Sequence, residues 1–284
     1  MNGCGELTGM AWVDESGIAT GPYMITGTGS VGLVHDALLM WSHQPGRDVG
    51  LPGGGLPIVG ETYDGRLSAG LHDGAVQPVT EAHVFEALDT ASTAKVVEGA
   101  VGGGTGMVTH GFKGGIGSSS RVVGMGRHGK FTVGVLVQSN YGTRDQLRIA
   151  GVPVGEELSE YSPPAPPEGP GGVAHAQGSI IVYVGTDAPL LPHQLKRLAK
   201  RPALALGRMG SVASDGSGDI FFAFSTANPQ VGEARKWPLP LSLLSQASKE
   251  AAAQRRAAGR CGRCRTRSST PSSGPSRMRP RRPS

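Results

Sequence analysis

The chain has 284 residues, of which 46 are glycine and 21 proline, with 5% aromatics; this argues against a helical bundle and for a turn-rich mixed α/β domain. No apolar run approaches the roughly 20 residues of a membrane-spanning helix and no basic-then-apolar leader opens the sequence, so a soluble, cytoplasmic protein is expected. The net charge of +5 comes from residues 251–284, which hold ten Arg and no Lys, Asp or Glu; residues 1–250 have 17 basic and 22 acidic side chains, a charge of −5, and give no reason to expect nucleic acid as a partner.

In chain order, residues 10–13 and 22–26 read as short strands. Gly27-Thr28-Gly29-Ser30-Val31-Gly32 then leads into an apolar helix over 34–41, with Asp48 further on. A GxGxxG between strand and helix, followed about 20 residues later by an acid, is the fingerprint of a dinucleotide-binding βαβ unit. Here residues 50–55 are loop-forming, and the second strand with its ribose-binding acid is not evident. A tight glycine turn feeding a core helix is the simpler reading, and no cofactor is expected. Residues 56–59 form a strand leading to Glu61-Thr62-Tyr63-Asp64-Gly65. Thr80 caps a helix with Glu81 in its first turn, and Val84, Leu88 and Ala91 share one face.

The glycine cluster at 99–106 lacks the Gly-Lys-Ser/Thr end of a phosphate loop. It reads as turns where backbones approach closely, and 112–117 resembles it. Residues 130–138 form an apolar strand, expected to be buried on both faces, that ends at Ser139-Asn140-Tyr141-Gly142. An Asn at a strand mouth can aim its amide at a developing oxyanion or simply serve the turn. A further strand, bent at Gly151, is expected over 147–154.

Residues 159–178 form a Pro/Gly-rich linker that cannot pack as a regular element. It stops at Gly178-Ser179, and a β-branched strand runs over 180–184. That sets a hydroxyl at the start of a buried strand behind a loop without side-chain bulk, a setting for a nucleophile or for a self-cleaving Gly-Ser bond. Asp187 is read as a helix cap with Pro189 near the first turn. Leu191, Leu195 and Leu198 mark the apolar face; His193, Lys196, Arg197, Lys200 and Arg201 form a solvated one. Pro202 breaks the helix, and a second helix covers 203–209. A polar cluster from Ser214 to Asp219 opens an apolar strand over 220–226. Ser217 and Asp219, two apart, face the same way in an extended segment; they make either a proton-handling pair or a hydrogen-bonded turn. A helix begins near 241. From 251 to 284 the Arg/Ser/Pro-rich tail is expected to be disordered. Its Cys261 and Cys264 form a lone CxxC without a second ligand pair, so no metal is expected; Cys4 reads as a free thiol.

Several long runs carry a family likeness: Val101-Gly102-Gly103-Gly104-Thr105-Gly106-Met107, Phe112-Lys113-Gly114-Gly115-Ile116-Gly117, Val135-Leu136-Val137-Gln138-Ser139-Asn140-Tyr141-Gly142, Gly178-Ser179-Ile180-Ile181-Val182, Thr186-Asp187-Ala188-Pro189 and Gly216-Ser217-Gly218-Asp219-Ile220. From about residue 2 to about residue 250 the chain resembles the DmpA/BapA-type peptidases of the P1 family (S58), the L-aminopeptidase/D-amidase-esterases and β-peptidyl aminopeptidases. The resemblance implies a four-layer αββα sandwich of the DmpA/ornithine acetyltransferase-like type, similar in layout to N-terminal-nucleophile hydrolases. It implies one domain over 1–250 that cleaves itself between Gly178 and Ser179 into parts 1–178 and 179–250, which stay together. Ser179 would be nucleophile and new N-terminus. Ser217 and Asp219 match the serine/acid pair beside it, Asn140 the oxyanion-stabilising Asn and Tyr63 the nearby tyrosine. The implied activity is a serine aminopeptidase/amidase acting on small peptides, amino-acid amides or esters, without cofactor or metal, as a homo-oligomer of processed units.

Two departures qualify this. The family's chains begin well upstream, and they continue past residue 250 with an acidic-apolar helix. The chain is therefore expected to be truncated in front and frame-shifted behind, and an inactive remnant of the family is the first rival reading. The second is a dinucleotide-binding oxidoreductase built on residues 27–32. The third is acetyl transfer by a similar self-cleaving fold, which uses threonine where this chain has serine.

Overall fold

A computed structural model describes residues 2–47, 56–64, 79–124, 126–158, 160 and 178–228, all within one compact unit spanning Met1–Gly232. The expected linker at 161–177, the helix from 241, the tail, Asp48 and residues 50–55 lie outside the described residues.

Two sheets form the middle of the molecule. β1 (Tyr23–Gly27) and β2 (Ile58–Thr62) pair in parallel, with Tyr23 opposite Ile58 and Gly27 opposite Thr62. The second sheet has the order β5-β6-β7-β8, comprising Gly115–Gly124, Lys130–Asn140, Ser179–Thr186 and Gly218–Ser225. Its first three strands are antiparallel to their neighbours and β8 runs parallel to β7. A short hairpin of β3 (Val108–Thr109) and β4 (Phe112–Lys113) precedes it.

The alternation of β7 explains the layering. Ile181 and Tyr183 point inward and pack with Leu7, Ile58, Ile220 and Phe222, which joins the two sheets face to face. Ile180, Val182 and Val184 point outward and pack under Leu206, with Leu198 beside it. Those two leucines belong to α6 (Arg201–Arg208) and α5 (Pro192–Ala199). On the other side, Val59 of β2 packs with Val34 and Ala37 of α2 (Val31–Ser42) and Val84 of α3 (Glu81–Asp89). The result is helix, sheet, sheet, helix: the four-layer αββα sandwich. A strand covered on both sides must be apolar at every position, and burying each such side chain contributes about 1.5–3 kcal/mol.

Several expected elements take other forms. Residues 10–13 belong to a helix, α1 (Met10–Ser16). Left-handed Gly9 and Gly17 bound it, and Gly17 N–H closes it on Val13 O; Met10 and Val13, three apart, both reach the core. β2 starts at Ile58 instead of 56. β5 was not anticipated, because its polar and small residues at 117–121 hide the period of two and most of its length is exposed. β6 is half-buried along most of its length instead of buried on both faces, since it lies next to this exposed edge strand. No strand forms over 147–154: Ala150 (φ 52°) and Gly151 (φ 88°) make a tight left-handed turn, Ile149 and Val152 bridge across it, and α4 (Val154–Glu157) follows.

Asp187 does not cap α5; its carboxylate accepts from Thr132 N–H at 2.6 Å, while Leu191 is the N-cap and Pro192 sits in the first turn. The break before Pro202 is found, with α5 ending at Ala199 and α6 starting at Arg201. Thr80 caps α3 in a reciprocal box with His83, although Ala91 falls beyond the helix. On the cationic face of α5, Lys196 pairs with Asp14. Among the described residues, no helix is long and apolar enough to cross a membrane.

Candidate active site

Strand order and direction bring three chain ends to one edge of the larger sheet. β6 runs antiparallel to β7 and finishes at Asn140; β7 and β8 are parallel and start together. The register therefore sets Asn140, Ser179 and Gly218 in one row. β2 exits at the same place, so Tyr63 joins them from the other sheet.

The Ser179 hydroxyl is the centre of this cluster, and the residue is 2% exposed. Tyr63 N–H donates to Ser179 Oγ at 2.8 Å. Asn140 Nδ2 donates to the same oxygen at 3.3 Å and to Tyr63 O at 2.7 Å. Asn140 Oδ1 accepts from Val108 N–H at 2.9 Å, which fixes the side chain so that its NH2 end faces the serine. An oxygen held by two N–H donors in a water-poor site is stabilised when it gains negative charge, and one such donor is worth about 10²–10³ in rate.

Ser217 and Asp219 flank Gly218 and are both about 5% exposed. Ser217 Oγ donates to Asp219 Oδ1 at 2.7 Å. Burial pushes the Asp219 carboxyl above the usual carboxylate range, and the Ser217 hydrogen bond opposes this. Between them, Gly218 N–H donates to Gly178 O at 3.2 Å. A methyl group on Gly178 would lie 3.3 Å from Ser217 Oγ, so the Ser217 hydroxyl stands beside the Gly178-Ser179 peptide. Tyr141 is also buried; desolvation and then the Asp219 charge push its phenol up to about 12.

All the site residues expected from sequence thus converge, with one difference of detail. Tyr63 engages through its main chain, while the residue itself is half-exposed. Sequence reasoning missed the supports. Gln138 is fully buried between the sheets and donates to Thr26 O at 3.2 Å and Thr62 Oγ1 at 2.7 Å, which braces the residue before Tyr63. A Cβ on Gly103 would lie 2.4 Å from Gln138 Oε1, so part of the glycine cluster exists to admit this side chain. The available signal was a lone amide in an otherwise apolar strand.

The glycine turn at 27–32 corrects one expectation. A second strand does follow, and β1-α2-β2 is a parallel βαβ unit. Its acid, Glu61, is nevertheless committed: the buried carboxylate accepts from Glu6 N–H at 2.9 Å and from the Thr28 hydroxyl of the turn itself. The loop closes on its own acid instead of presenting it to a ribose.

The sequence profile described as peptidase family S58 matches residues 1–258. A β-peptidyl aminopeptidase, BapA of Sphingosinicella microcystinivorans, is 52% identical over 240 residues, covering 81% of this chain and 58% of the relative. A solved β-aminopeptidase of Burkholderia sp. superposes with a TM-score of 0.67 at 46% identity, covering 80% of this chain and 59% of that one. The L-aminopeptidase D-Ala-esterase/amidase of Ochrobactrum anthropi, described as a prototype for serine aminopeptidases and a variant of the Ntn hydrolase fold, gives a TM-score of 0.66 at 46% identity, covering 80% and 59%. The chain therefore spans less than two thirds of the length of each.

Proposed function

The chain belongs to peptidase family S58, and from this we propose that it is a self-cleaving serine aminopeptidase/amidase with Ser179 as its nucleophile. One observation carries the reading: two N–H donors, from Tyr63 and Asn140, converge on the hydroxyl of the residue that directly follows Gly178.

In the first reaction Ser179 Oγ attacks the Gly178 carbonyl carbon. The C–N bond breaks, the proton from Oγ ends on the departing nitrogen, and an ester joins Gly178 to Ser179. Water hydrolyses the ester, leaving a Gly178 carboxylate and a Ser179 with free hydroxyl and free α-amine. The products are parts 1–178 and 179–250, with the tail following the second. In turnover, Oγ attacks the carbonyl of a bound amide or ester, the oxyanion is met by the Asn140 and Tyr63 donors, and the leaving group departs with a proton. Water then releases the acyl group. The new α-amine, with an ordinary pKa near 8, can take the proton from Oγ, and the Ser217/Asp219 pair can relay it. A carboxylate at Asp219 also offers an anchor for the ammonium of a substrate's first residue, which favours small peptides, amides and esters with a free amine. Serine rather than threonine at 179 argues against acetyl transfer. The free, exposed thiol of Cys4 supports a reducing, cytoplasmic setting.

The test is a denaturing gel of the purified chain, mass spectrometry for a fragment beginning at Ser179, and hydrolysis of an amino-acid p-nitroanilide. Two bands and amide hydrolysis are expected, both abolished in Ser179→Ala. A single uncut band without hydrolysis from the unmodified chain overturns the reading and leaves an inactive member of the family.

A further inference from the structure

The turn that carries Asn140 is gripped from outside the strand. Residues 140–143 leave β6, and the β3–β4 hairpin closes over them. Val108 N–H holds Asn140 Oδ1 at 2.9 Å, and the hydroxyls of Thr109 and Ser139 are 2.8 Å apart. His110 N–H donates to Tyr141 O at 2.8 Å. Its ring Nδ1 is 2.9 Å from Thr143 O; a carbonyl only accepts, so Nδ1 carries the hydrogen. Arg144 answers from the other side, donating to Gly111 O and laying its guanidinium 4.0 Å over the Phe112 ring.

Within this grip His110 is the unusual residue. It is 1% exposed and sits at φ 47°, a region that non-glycine residues adopt rarely. Its ring meets Tyr141 edge-on with centroids 4.9 Å apart. It also rests on Gly142, where a Cβ would lie 2.5 Å from ring Cε1. Nε2 is buried and has no hydrogen-bond partner among the described residues, so the ring's only polar contact is the one to Thr143.

We propose that His110 is a positioning residue for the reaction: its bond to Thr143 and its seat on Gly142 latch the turn that aims the Asn140 amide at Ser179. This rests on Ser179 being the nucleophile. His110 touches no reacting atom; it acts through the turn.

Two substitutions separate the bond from the packing. His110→Phe keeps a ring on Gly142 and deletes the hydrogen bond. His110→Asn deletes the ring, puts an amide N–H where Nδ1 was, and tolerates the left-handed backbone. The readouts are hydrogen exchange of residues 139–147 by mass spectrometry and a kcat/KM split on a p-nitroanilide. Expected for His110→Phe are faster exchange in that segment and a kcat lower by about tenfold to a hundredfold, the scale for a small misplacement of a catalytic group, with KM little changed. His110→Asn should restore both. Equal impairment in the two variants, or unchanged exchange and kcat in His110→Phe, overturns the latch. If His110→Phe does not fold, His110→Asn decides: wild-type exchange at 139–147 supports the latch and loosened exchange overturns it. An unmodified chain that neither cleaves itself nor turns over sinks the nucleophile reading alone, and the exchange comparison still decides the role of His110.

Discussion

Removing the Asn140 side chain should lower rate and stability by separate mechanisms that can be measured apart. Asn140→Ala deletes three hydrogen bonds: to Ser179 Oγ at 3.3 Å, to Tyr63 O at 2.7 Å and from Val108 N–H at 2.9 Å. The first concerns rate. Loss of one oxyanion donor costs about 10²–10³ in kcat. The lower end, about 10², is expected here because the contact is long and Tyr63 N–H remains at 2.8 Å. The other two concern stability. Each leaves a main-chain group without its partner, at about 1–3 kcal/mol when fully buried; both sites are only partly buried, so a total of about 1–3 kcal/mol is expected. The assay is p-nitroanilide turnover at saturating and limiting substrate, alongside urea unfolding of the same preparation. A folded Asn140→Ala whose kcat stays within about threefold of wild type refutes the oxyanion role.

Three further outcomes are expected. Asp219→Asn should stabilise the fold at neutral pH while abolishing or slowing turnover. Burial raises the folded pKa of Asp219, so the folded state binds the proton more tightly than the unfolded chain. Its penalty is absent below the unfolded value of about 3.9 and grows as pH rises through the folded one; the stabilising effect of the variant, read by denaturant unfolding, should vanish in acid. Gly178→Ala would put a methyl 2.9 Å from Tyr141 Cα and 3.0 Å from Asn140 O, both main-chain atoms that cannot swing aside, and self-cleavage followed by gel should slow about tenfold or more, the scale for small displacements of reacting groups. Gln138→Leu keeps the volume but strands Thr26 O and Thr62 Oγ1 between the sheets, so a loss of about 1–3 kcal/mol is expected by thermal or urea unfolding; no change would deny Gln138 its bracing role.

The sequence was most legible where burial is complete. β7 and β8 are apolar at nearly every inner position, and both were found within two residues of their ends. The polar residues at their starts, Ser179, Ser217 and Asp219, stood out because hydroxyls and a carboxylate open strands that otherwise exclude them. Edges were poorly legible. β5 has sheet neighbours on one side only and water along most of its length, so nothing forces a hydrophobic alternation onto residues 117–121. Short helices bounded by glycine, such as α1, show too few periods to be told from strands. The supports of the site were hidden for another reason: Gln138, Val108 and His110 act through contacts 30 or more residues distant in the chain, and no local pattern records such a partner.

The way Ser179 is held also bears on what a cut at its amino side would do. Ser179 is not positioned by residues 161–177. It is the first rung of an eight-residue strand that is paired along its whole length on both sides, with β6 from Asn140 back to Val133 and with β8 from Gly218 to Ser225. The next residues, Ile180 and Ile181, are at most 2% exposed and anchor the strand in opposite faces at about 1.5–3 kcal/mol each. Its hydroxyl is gripped by groups from β2 and β6, none of which lies across the Gly178-Ser179 bond. Cleaving that bond removes one covalent tether and the Gly218-to-Gly178 contact, and leaves the ladder, the two isoleucines and both N–H donors in place. The proposed reaction would therefore release an α-amine at the reacting centre without releasing the serine, and the new amine would form a few bonds from the oxygen whose proton it must take.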